Sequence, residues 1–431
     1  MKILIVAEHA SAAYGGEAAL PLHYFRVLRR RGHDVWLLVH ERTRDELVNV
    51  FGDDPRMIFM PDTAGVVALW HMSKLLPQRL SDFTTSYLQR VMTQRRQHKV
   101  ARDLVRAEQI DIVHQPIPVS PREPSLLYGL GAAVVMGPMN GNMDFPPKFR
   151  AGRSSRLTNF VIMMGRAAAN AMNWFFPGKR QAAAILVANE RTRRALPAGI
   201  SGRVMTLVEN GVDLSVWKSE LGGSHDSSAH TRFVFLGRLV DWKAVDLLLA
   251  AFTSASERSS MSLLIIGDGD QRQKLEAQAS ALGILSADEA PGTVSFTGYL
   301  SQVECARRLC ERDALVLPSL YECGGAVVLE AMAMERPVIA TAWGGPMDYL
   351  DASCGILVEP ETPEKFVDAI ADAMVKLASS PELRRELGKA GARKIVSDFD
   401  WEKKVDTMLA IYGQAISDHK LPRTSKRSAS G

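Results

Sequence analysis

The sequence is poor in cysteine and has no long apolar segment. All four cysteines lie in the last third of the chain, at Cys305, Cys310, Cys323 and Cys354, and none forms a Cys-x-x-Cys pair. This arrangement indicates neither a disulfide scaffold nor a structural zinc site, and it is typical of a reducing compartment. No run reaches the ~18 uncharged apolar residues of a spanning helix, and Ile3–Ala7 is too short for a secretory signal. We therefore expect a protein that stays in solution or at most rests on a membrane surface.

Negative charge is scarce in one region. No acidic residue lies between Asp144 and Glu190, where seven Lys and Arg residues occur. Residues 1–213 contain 28 Lys and Arg against 18 Asp and Glu, a net charge of +10, whereas residues 214–431 contain 24 against 30, a net charge of −6. A basic half favours an anionic partner, such as a phosphorylated substrate, an anionic membrane or nucleic acid. The alternative is a solvated basic surface without a specific partner.

The rest of the composition is that of a globular protein, with 46% hydrophobic and 23% charged residues among 431. At about 150 residues per domain, this length predicts two or three domains. Near the start, an apolar strand at Lys2–Ala7 leads through a glycine-containing loop to a helix over Glu17–Arg31 and a second strand at Val35–Val39. This order predicts a doubly wound α/β domain with a parallel sheet.

The same pattern begins again near residue 232, with an apolar strand at Arg232–Leu236 and later ones such as Ala314–Leu317. We predict an N-terminal domain over residues 1–214, a Gly- and Ser-rich linker over 215–231 and a disordered tail over 418–431. Two such domains would face a central cleft. Ligands of open α/β sheets bind at the carboxyl ends of the strands, so both domains could contact one ligand there.

One candidate site combines two acidic residues with a glycine-rich helix start. Glu322 follows a predicted strand, Cys323-Gly324-Gly325 opens a helix, and Glu330 lies about two turns into it. Glycines let a ligand approach backbone N–H groups, and a helix N-terminus favours anionic oxygens. This pattern could hold a polyol that carries phosphate. The alternative is that Glu322 caps the helix and Glu330 pairs with a lysine.

A second candidate is a pair of cations in a loop. Arg238 follows the predicted strand Arg232–Leu236, and Lys243 lies five residues later. Two cations in such a loop suit a diphosphate. The alternative is an ordinary basic surface loop.

Together these motifs resemble family 4 of the retaining GT-B glycosyltransferases. The similar segments are GRL-x3-K from Gly237, IIGDGD from Ile265, FTGYL from Phe296, and E-x7-E from Glu322 followed by AMA. The resemblance is dense over residues 205–412 and thinner before them. The segments ECGGAVVLEAMA and GPMNGNMDFPP are most similar to bacterial enzymes of exopolysaccharide synthesis.

The resemblance implies roles for individual residues. Arg238 and Lys243 would bind the donor diphosphate, and Glu322 would accept hydrogen bonds from the donor sugar. Glu330 would bind the ribose hydroxyls. His114 would lie near the reacting sugar carbon, and its alternative role is a strand-end histidine bonded to the backbone. Further donor-binding positions are expected at Gly15, Gly16, Gly325, Ala326 and Val327.

The resemblance also implies an α/β architecture of the GT-B type, with two Rossmann-like domains. The C-terminal domain would span residues 232–398, and a helix over 399–417 would cross back to the N-terminal domain. The reaction would move a sugar from a nucleotide-sugar to a hydroxyl of a glycan or lipid-linked acceptor, without cofactor, metal or nucleic acid. We expect it in the cytoplasm, with contact to the inner face of the plasma membrane.

Other interpretations stay open from the sequence. A sugar phosphorylase or nucleotide-sugar epimerase could share this fold, and so could a non-catalytic nucleotide-sugar-binding subunit. Two apolar segments, Phe160–Phe176 and Val66–Leu80, could rest on an anionic membrane or line the protein interior. Asp268-Gly269-Asp270 spells a metal-binding pattern of another fold, but we interpret it as a turn. The sequence departs from the family by having Gly324 in place of an aromatic residue and Ala244 in place of glycine.

Overall fold

The computed structural model describes residues 1–12, 16–74, 85–150, 169–217 and 230–420. These residues form two compact units. The N-terminal unit contains the described residues up to Asn142, those from 169 to Glu209 and those from Lys404 onward. The C-terminal unit contains residues 143–150 and the described residues from Asn210 to Lys403.

The N-terminal unit is built on a parallel sheet in the order β3-β2-β1-β4-β5-β6-β7. Its central strands are buried on both faces, which explains their nearly continuous apolar sequences. Within the described residues the strands are β1 Lys2–Val6, β2 Asp34–His40, β3 Met57–Met60, β4 Ile112–Gln115, β5 Ala133–Met139, β6 Ala184–Val187 and β7 Arg203–Thr206.

Helices flank this sheet, as expected where parallel strands are joined by crossovers. Residues 169–175 are helical as well. The helices with described bounds are α1 Gly16–Arg30, α2 Arg44–Phe51, α3 Ala64–Ser73, α4 Thr85–Glu108, α5 Gly178–Gln181 and α6 Glu190–Arg193.

The C-terminal unit repeats this topology with the strand order β10-β9-β8-β11-β12-β13, again parallel. Its strands are β8 Thr231–Leu236, β9 Met261–Ile266, β10 Val294–Gly298, β11 Ala314–Leu317, β12 Val338–Thr341 and β13 Gly355–Val358. Its helices are α7 Val245–Ser256, α8 Arg272–Ala281, α9 Gln302–Cys310, α10 Ala326–Ala333, α11 Pro346–Tyr349, α12 Pro363–Ser379 and α13 Pro381–Lys394. The last helix, α14 Trp401–Lys420, begins in this unit and contributes its residues from Lys404 onward to the N-terminal unit.

The strand order reverses between β1 and β4 in the first sheet and between β8 and β11 in the second. Such switch points leave a crevice at the carboxyl ends of the two strands, because the adjoining connections run to opposite faces of the sheet. Each unit therefore offers one place where ligands of doubly wound folds bind.

Two features differ from the domain limits drawn from sequence. Residues 143–150, which the sequence assigns to the N-terminal domain, pack with the C-terminal unit. Residues 418–420, predicted to begin a disordered tail, instead continue α14 to Lys420. The rest of the predicted tail, residues 421–431, and residues 218–229 of the predicted linker lie outside the described residues. None of the described helices has the length and apolar character needed to span a membrane.

Candidate active site

Two loops meet at the switch point of the C-terminal unit. The loop after β8 carries Arg238 and then a short 3-10 helix, Asp241–Lys243. The loop after β11 carries Glu322. The backbone N–H of Leu320 donates to the carbonyl of Trp242 at 2.8 Å, so the two loops are tied together by their main chains.

An ion pair joins the same two loops through their side chains. The Nζ of Lys243 donates to Oε2 of Glu322, and each side chain is only 14% exposed. Sequence reasoning proposed each residue separately, and the structure brings them into contact across 79 positions. A lysine and a carboxylate that are held together in a shielded position can also share a ligand that offers both phosphate and hydroxyl oxygens.

Arg238 is the second cation of this site. The residue is exposed, and its guanidinium forms no hydrogen bond or ion pair with another residue in the described part of the chain. An arginine without a carboxylate partner keeps its five N–H donors available for an anion. Ala244, where the sequence resemblance leads us to expect glycine, is the N-cap of α7 and adopts φ 51°, a left-handed conformation that glycine adopts more readily.

Gly325 sets the geometry between Glu322 and helix α10. Its φ is 80°, and a Cβ at this position would come within 3.0 Å of Cγ of Glu322. Both the backbone conformation and the close approach therefore require glycine. The N–H groups of Ala326 and Val327 follow in the first turn of α10, where no helix carbonyl can accept them.

Glu330 lies further along α10 in a half-buried position. Burial raises the pKa of Glu330 to about 7, although the residue keeps partial solvent exposure. Within the described residues the carboxylate has no hydrogen-bond or ion-pair partner. The lysine partner that the alternative interpretation requires is therefore not found in the described part of the chain, and the carboxylate remains available to a ligand hydroxyl.

A third loop lies between β12 and α11 and was not singled out from the sequence. It contacts the loop that carries Glu322. The N–H of Gly345 donates to the carbonyl of Glu322 at 2.7 Å, and the indole Nε1 of Trp343 donates to the carbonyl of Asp144 at 2.7 Å. The rings of Phe145 and Tyr321 lie 5.2 Å apart. The segment containing Asp144 and Phe145 thus packs against this loop. In the sequence this segment, part of GPMNGNMDFPP, was marked only by its resemblance to bacterial enzymes of exopolysaccharide synthesis.

The contacts of His114 are those of its alternative interpretation, a strand-end histidine bonded to the backbone. It is fully buried at the end of β4, and its Nε2 donates to the carbonyl of Gly137 at 2.7 Å. Because Nε2 carries the proton, the hydroxyl of Tyr412 donates to Nδ1, also at 2.7 Å. Burial lowers the pKa of His114 to about 4, partly offset by the bond to Gly137. Both ring nitrogens are occupied, so His114 presents none to a substrate in this structure.

The structure neither supports nor contradicts a donor-binding role for the two glycines expected in the loop after β1. Gly15 lies outside the described residues. Gly16 begins α1, is exposed, and has no atom within 4 Å of the place that a Cβ would take. The space around Gly16 therefore does not by itself demand glycine.

The Asp268-Gly269-Asp270 segment forms a turn after β9. A carboxylate oxygen of Asp268 accepts from the N–H of Gly269 at 2.7 Å, and the other contacts Arg272 at 3.2 Å. In the described residues, no group of three or more His, Cys, Asp or Glu side chains is placed to hold a metal ion.

The C-terminal unit contains the part of the chain that matches a known protein family. Residues 226–394, less than half of the chain, match the family model described as glycosyl transferases group 1. The Alpha-D-kanosaminyltransferase of Streptomyces kanamyceticus is 29% identical over 54% of this chain and 61% of its own length. The D-inositol 3-phosphate glycosyltransferase of Mycobacteroides abscessus is 30% identical over 50% of this chain and 48% of its own. The chain thus spans about half the length of the curated relatives it matches.

Solved structures match over nearly the whole chain. Sucrose-phosphate synthase from Thermosynechococcus elongatus gives a TM-score of 0.62 at 17% identity, covering 97% of this chain and all of that one. Anabaena HepE in complex with UDP gives 0.61 at 14% identity, covering 95% and 100%. The fold is GT-B. The predicted architecture of two Rossmann-like α/β units is confirmed, and the family-model match and the relatives support a place in the glycosyltransferase superfamily.

Proposed function

We propose that the protein is a retaining glycosyltransferase that moves a sugar from a nucleotide-sugar to a hydroxyl of a glycan or lipid-linked acceptor. The observation that carries this proposal is the Lys243–Glu322 pair at the switch point of the C-terminal unit, with an unpaired Arg238 in the same loop. We place the reaction in bacterial polysaccharide synthesis in the cytoplasm, on the similarity of sequence motifs described above.

Arg238 and Lys243 bind the diphosphate in this mechanism. The bond between the anomeric carbon and the phosphate oxygen breaks, and negative charge accumulates on the leaving phosphate. Two cations and the first-turn N–H groups of Ala326 and Val327 stabilise that charge, and one such donor contributes about 3–4 kcal/mol to lowering a barrier. No metal is needed for this step, since the positive charges are supplied by the chain.

The acceptor hydroxyl forms the new bond on the face that the phosphate leaves, so the anomeric configuration is retained. Its proton passes to the leaving phosphate oxygen, which balances the charges without a side-chain base. Glu322 accepts hydrogen bonds from the sugar, and Gly325 lets its backbone approach the ligand. Glu330 accepts from the ribose hydroxyls, which would give its orphaned carboxylate the partner it lacks.

A thermal-shift panel tests the donor site, because a ligand that binds only the folded state raises the melting temperature. UDP and other nucleoside diphosphates are compared, each with and without EDTA. We expect at least one to raise the melting temperature of the wild type with EDTA present. Stabilisation by inorganic phosphate and a glycan, with none by any nucleotide, would favour the phosphorylase interpretation instead.

Two matched double variants distinguish a loss of nucleotide binding from a general loss of stability. Arg238→Ala with Lys243→Ala should lose most of the nucleotide-induced shift, measured relative to the variant's own melting temperature. Arg385→Ala with Lys389→Ala removes the same charge from α13 and should keep it. An equal shift in both double variants would contradict the assigned phosphate site.

We also propose that the N-terminal unit contacts an anionic membrane. Of the predicted segment Phe160–Phe176, only residues 169–176 are described, and there Trp174 and Phe175 are 67% and 65% exposed. Of Val66–Leu80, residues up to Lys74 are described, and Trp70 and Met72 are exposed. Exposed aromatic side chains beside basic sequence are typical of helices that rest at a membrane interface.

Co-sedimentation with phosphatidylglycerol vesicles tests the membrane contact. Wild type should bind in a salt-dependent way, and Trp174→Ala with Phe175→Ala should lose most of this binding. Tyr299→Ala, an exposed aromatic of the C-terminal unit, is the control that should bind as wild type does. Equal binding by the Trp174 and Phe175 variant would refute the contact.

A further inference from the structure

The chain passes into the C-terminal unit at Asn210 and out of it after Lys403. The two segments next to these points pair with each other inside the unit. The N–H of Val212 donates to the carbonyl of Phe399 at 2.8 Å, and the N–H of Trp401 donates to the carbonyl of Val212 at 3.3 Å. These entry and exit segments are therefore joined through their main chains.

One side chain, Tyr349 of α11, contacts both segments. Its hydroxyl accepts from Nδ2 of Asn210 at 2.8 Å, and its ring lies 5.6 Å from that of Phe399 at an angle of 88°. Tyr349 is fully buried and Asn210 is 9% exposed, so water has little access to this hydrogen bond. Breaking it would leave a buried donor and a buried hydroxyl desolvated, which is costly. Tyr349 thus fixes α11 to the entry and exit segments.

The chain just before α11 lies directly against the loop that carries Glu322. The N–H of Gly345 donates to the carbonyl of Glu322 at 2.7 Å, and a Cβ at Gly345 would come within 2.2 Å of the carbonyl oxygen of Gly324. A Cβ at Gly344, whose φ is 78°, would come within 2.4 Å of the carbonyl oxygen of Glu322. Both glycines allow an approach that a side chain would prevent. A displacement of α11 would therefore displace the main chain at Glu322.

We propose that Asn210 and Tyr349 are positioning residues for Glu322. Asn210 and Tyr349 together fix α11, and the N–H of Gly345 then holds the carbonyl of Glu322. The carboxylate of Glu322 is held separately, by Lys243. Main chain and side chain thus have independent supports, one from the entry segment and one from the loop after β8. The inference rests on the proposed function only in that Glu322 then contacts the donor.

The thiol of Cys323, next to Glu322 in the chain, reports on the position of this loop. Cys323 is half-buried, whereas the remaining cysteines are buried, namely Cys305, Cys310 and Cys354. A fluorescent maleimide should therefore label Cys323 first in the folded protein, with the labelled residue identified by mass spectrometry. We expect Tyr349→Phe and Asn210→Ala each to label about fivefold faster than wild type, since loss of one neutral hydrogen bond changes an equilibrium by about that factor.

Two comparisons distinguish a positioning role from a general loss of stability. The double variant should label Cys323 no faster than Asn210→Ala alone, because both substitutions remove the same hydrogen bond. Tyr412→Phe also removes a hydrogen bond from a fully buried tyrosine, but in the N-terminal unit, so this matched control should label as wild type does. Equal rates in Tyr349→Phe and Tyr412→Phe would overturn the proposal, and so would effects that multiply in the double variant.

The same assay distinguishes a failure of this inference from a failure of the proposed function. UDP or another nucleoside diphosphate bound at the donor site should slow the labelling of Cys323 in the wild type. No protection by any nucleotide would count against the donor site, whereas the comparison of Tyr349→Phe with Tyr412→Phe uses no nucleotide and tests the positioning role alone. With a protecting nucleotide, Tyr349→Phe should need a higher concentration for half-protection, because fewer molecules hold the loop in its binding position. An unchanged concentration would refute the positioning role.

Discussion

Replacing Lys243 by methionine is the most direct test of how the two loops of the candidate site are held. The substitution keeps the length of the side chain but leaves the Glu322 carboxylate without its cation at 14% exposure. Removing one partner of a buried pair typically costs about 3–5 kcal/mol, because the remaining charge is desolvated and uncompensated. Since both side chains retain some solvent contact, we expect the free energy of unfolding to fall by about 3 kcal/mol.

A double-mutant cycle isolates the pair from other effects of the substitution. Glu322→Gln in the Lys243→Met background removes the buried charge, and should restore about 2 kcal/mol of the loss. The measurement is urea unfolding near pH 7, followed by fluorescence and compared among wild type, both single variants and the double variant. The control is the exposed i,i+3 pair of Arg385 and Glu382, whose side chains are 48% and 70% exposed. Its cycle should give less than about 1 kcal/mol.

Two results would refute this reasoning. If Lys243→Met costs no more than Arg385→Met, the pair is not a desolvated link between the loops. If the double variant with Glu322→Gln is as unstable as Lys243→Met alone, the loss comes from packing rather than from the unpaired charge.

Three further predictions concern single residues. Burial raises the pKa of Glu330 to about 7 from an ordinary value of 4.5, so the folded state holds a proton that the unfolded chain releases. Without ligand, stability should be full below pH 4.5 and fall by up to about 3 kcal/mol as the pH rises to 7, and Glu330→Gln should abolish this slope in unfolding titrations. Gly325→Ala should lower the free energy of unfolding by about 1–2 kcal/mol and reduce the nucleotide-induced thermal shift, since alanine is strained at φ 80° and crowds Glu322. A wild-type shift in this variant would contradict the proposed backbone approach. Tyr412→Phe should cost about 1–2 kcal/mol by leaving Nδ1 of buried His114 without a donor, yet keep kcat unchanged. A large loss of kcat at full folding would restore a role for His114 in catalysis.

Local sequence pattern determined much of the fold. Apolar runs such as Lys2–Val6 and Ala314–Leu317 are buried on both sides, so their composition identified them as strands of a parallel sheet. β3 and β13 were not predicted as strands, although their four-residue sequences are apolar like that of Ala314–Leu317. A short apolar run cannot by itself be told from a segment of buried helix.

The residues of the candidate site were predictable where they follow strands. Arg238 and Glu322 lie in loops at the carboxyl ends of β8 and β11, and loop position is a local property of the chain. What those side chains contact was not predictable from the sequence. Lys243 and Glu322 are 79 positions apart, and only the order of the strands brings their loops together.

The sequence by itself thus determined the fold class and the loops from which a ligand could be bound, because strand burial and loop composition depend on neighbouring residues. The tertiary structure alone decided which side chains meet. It buried His114 against Tyr412, 298 positions away, and gathered Glu8, Glu17 and Glu123 around one cavity. The physical reason is that burial, ion pairing and unsatisfied hydrogen bonds arise from packing between distant segments, which no local pattern records.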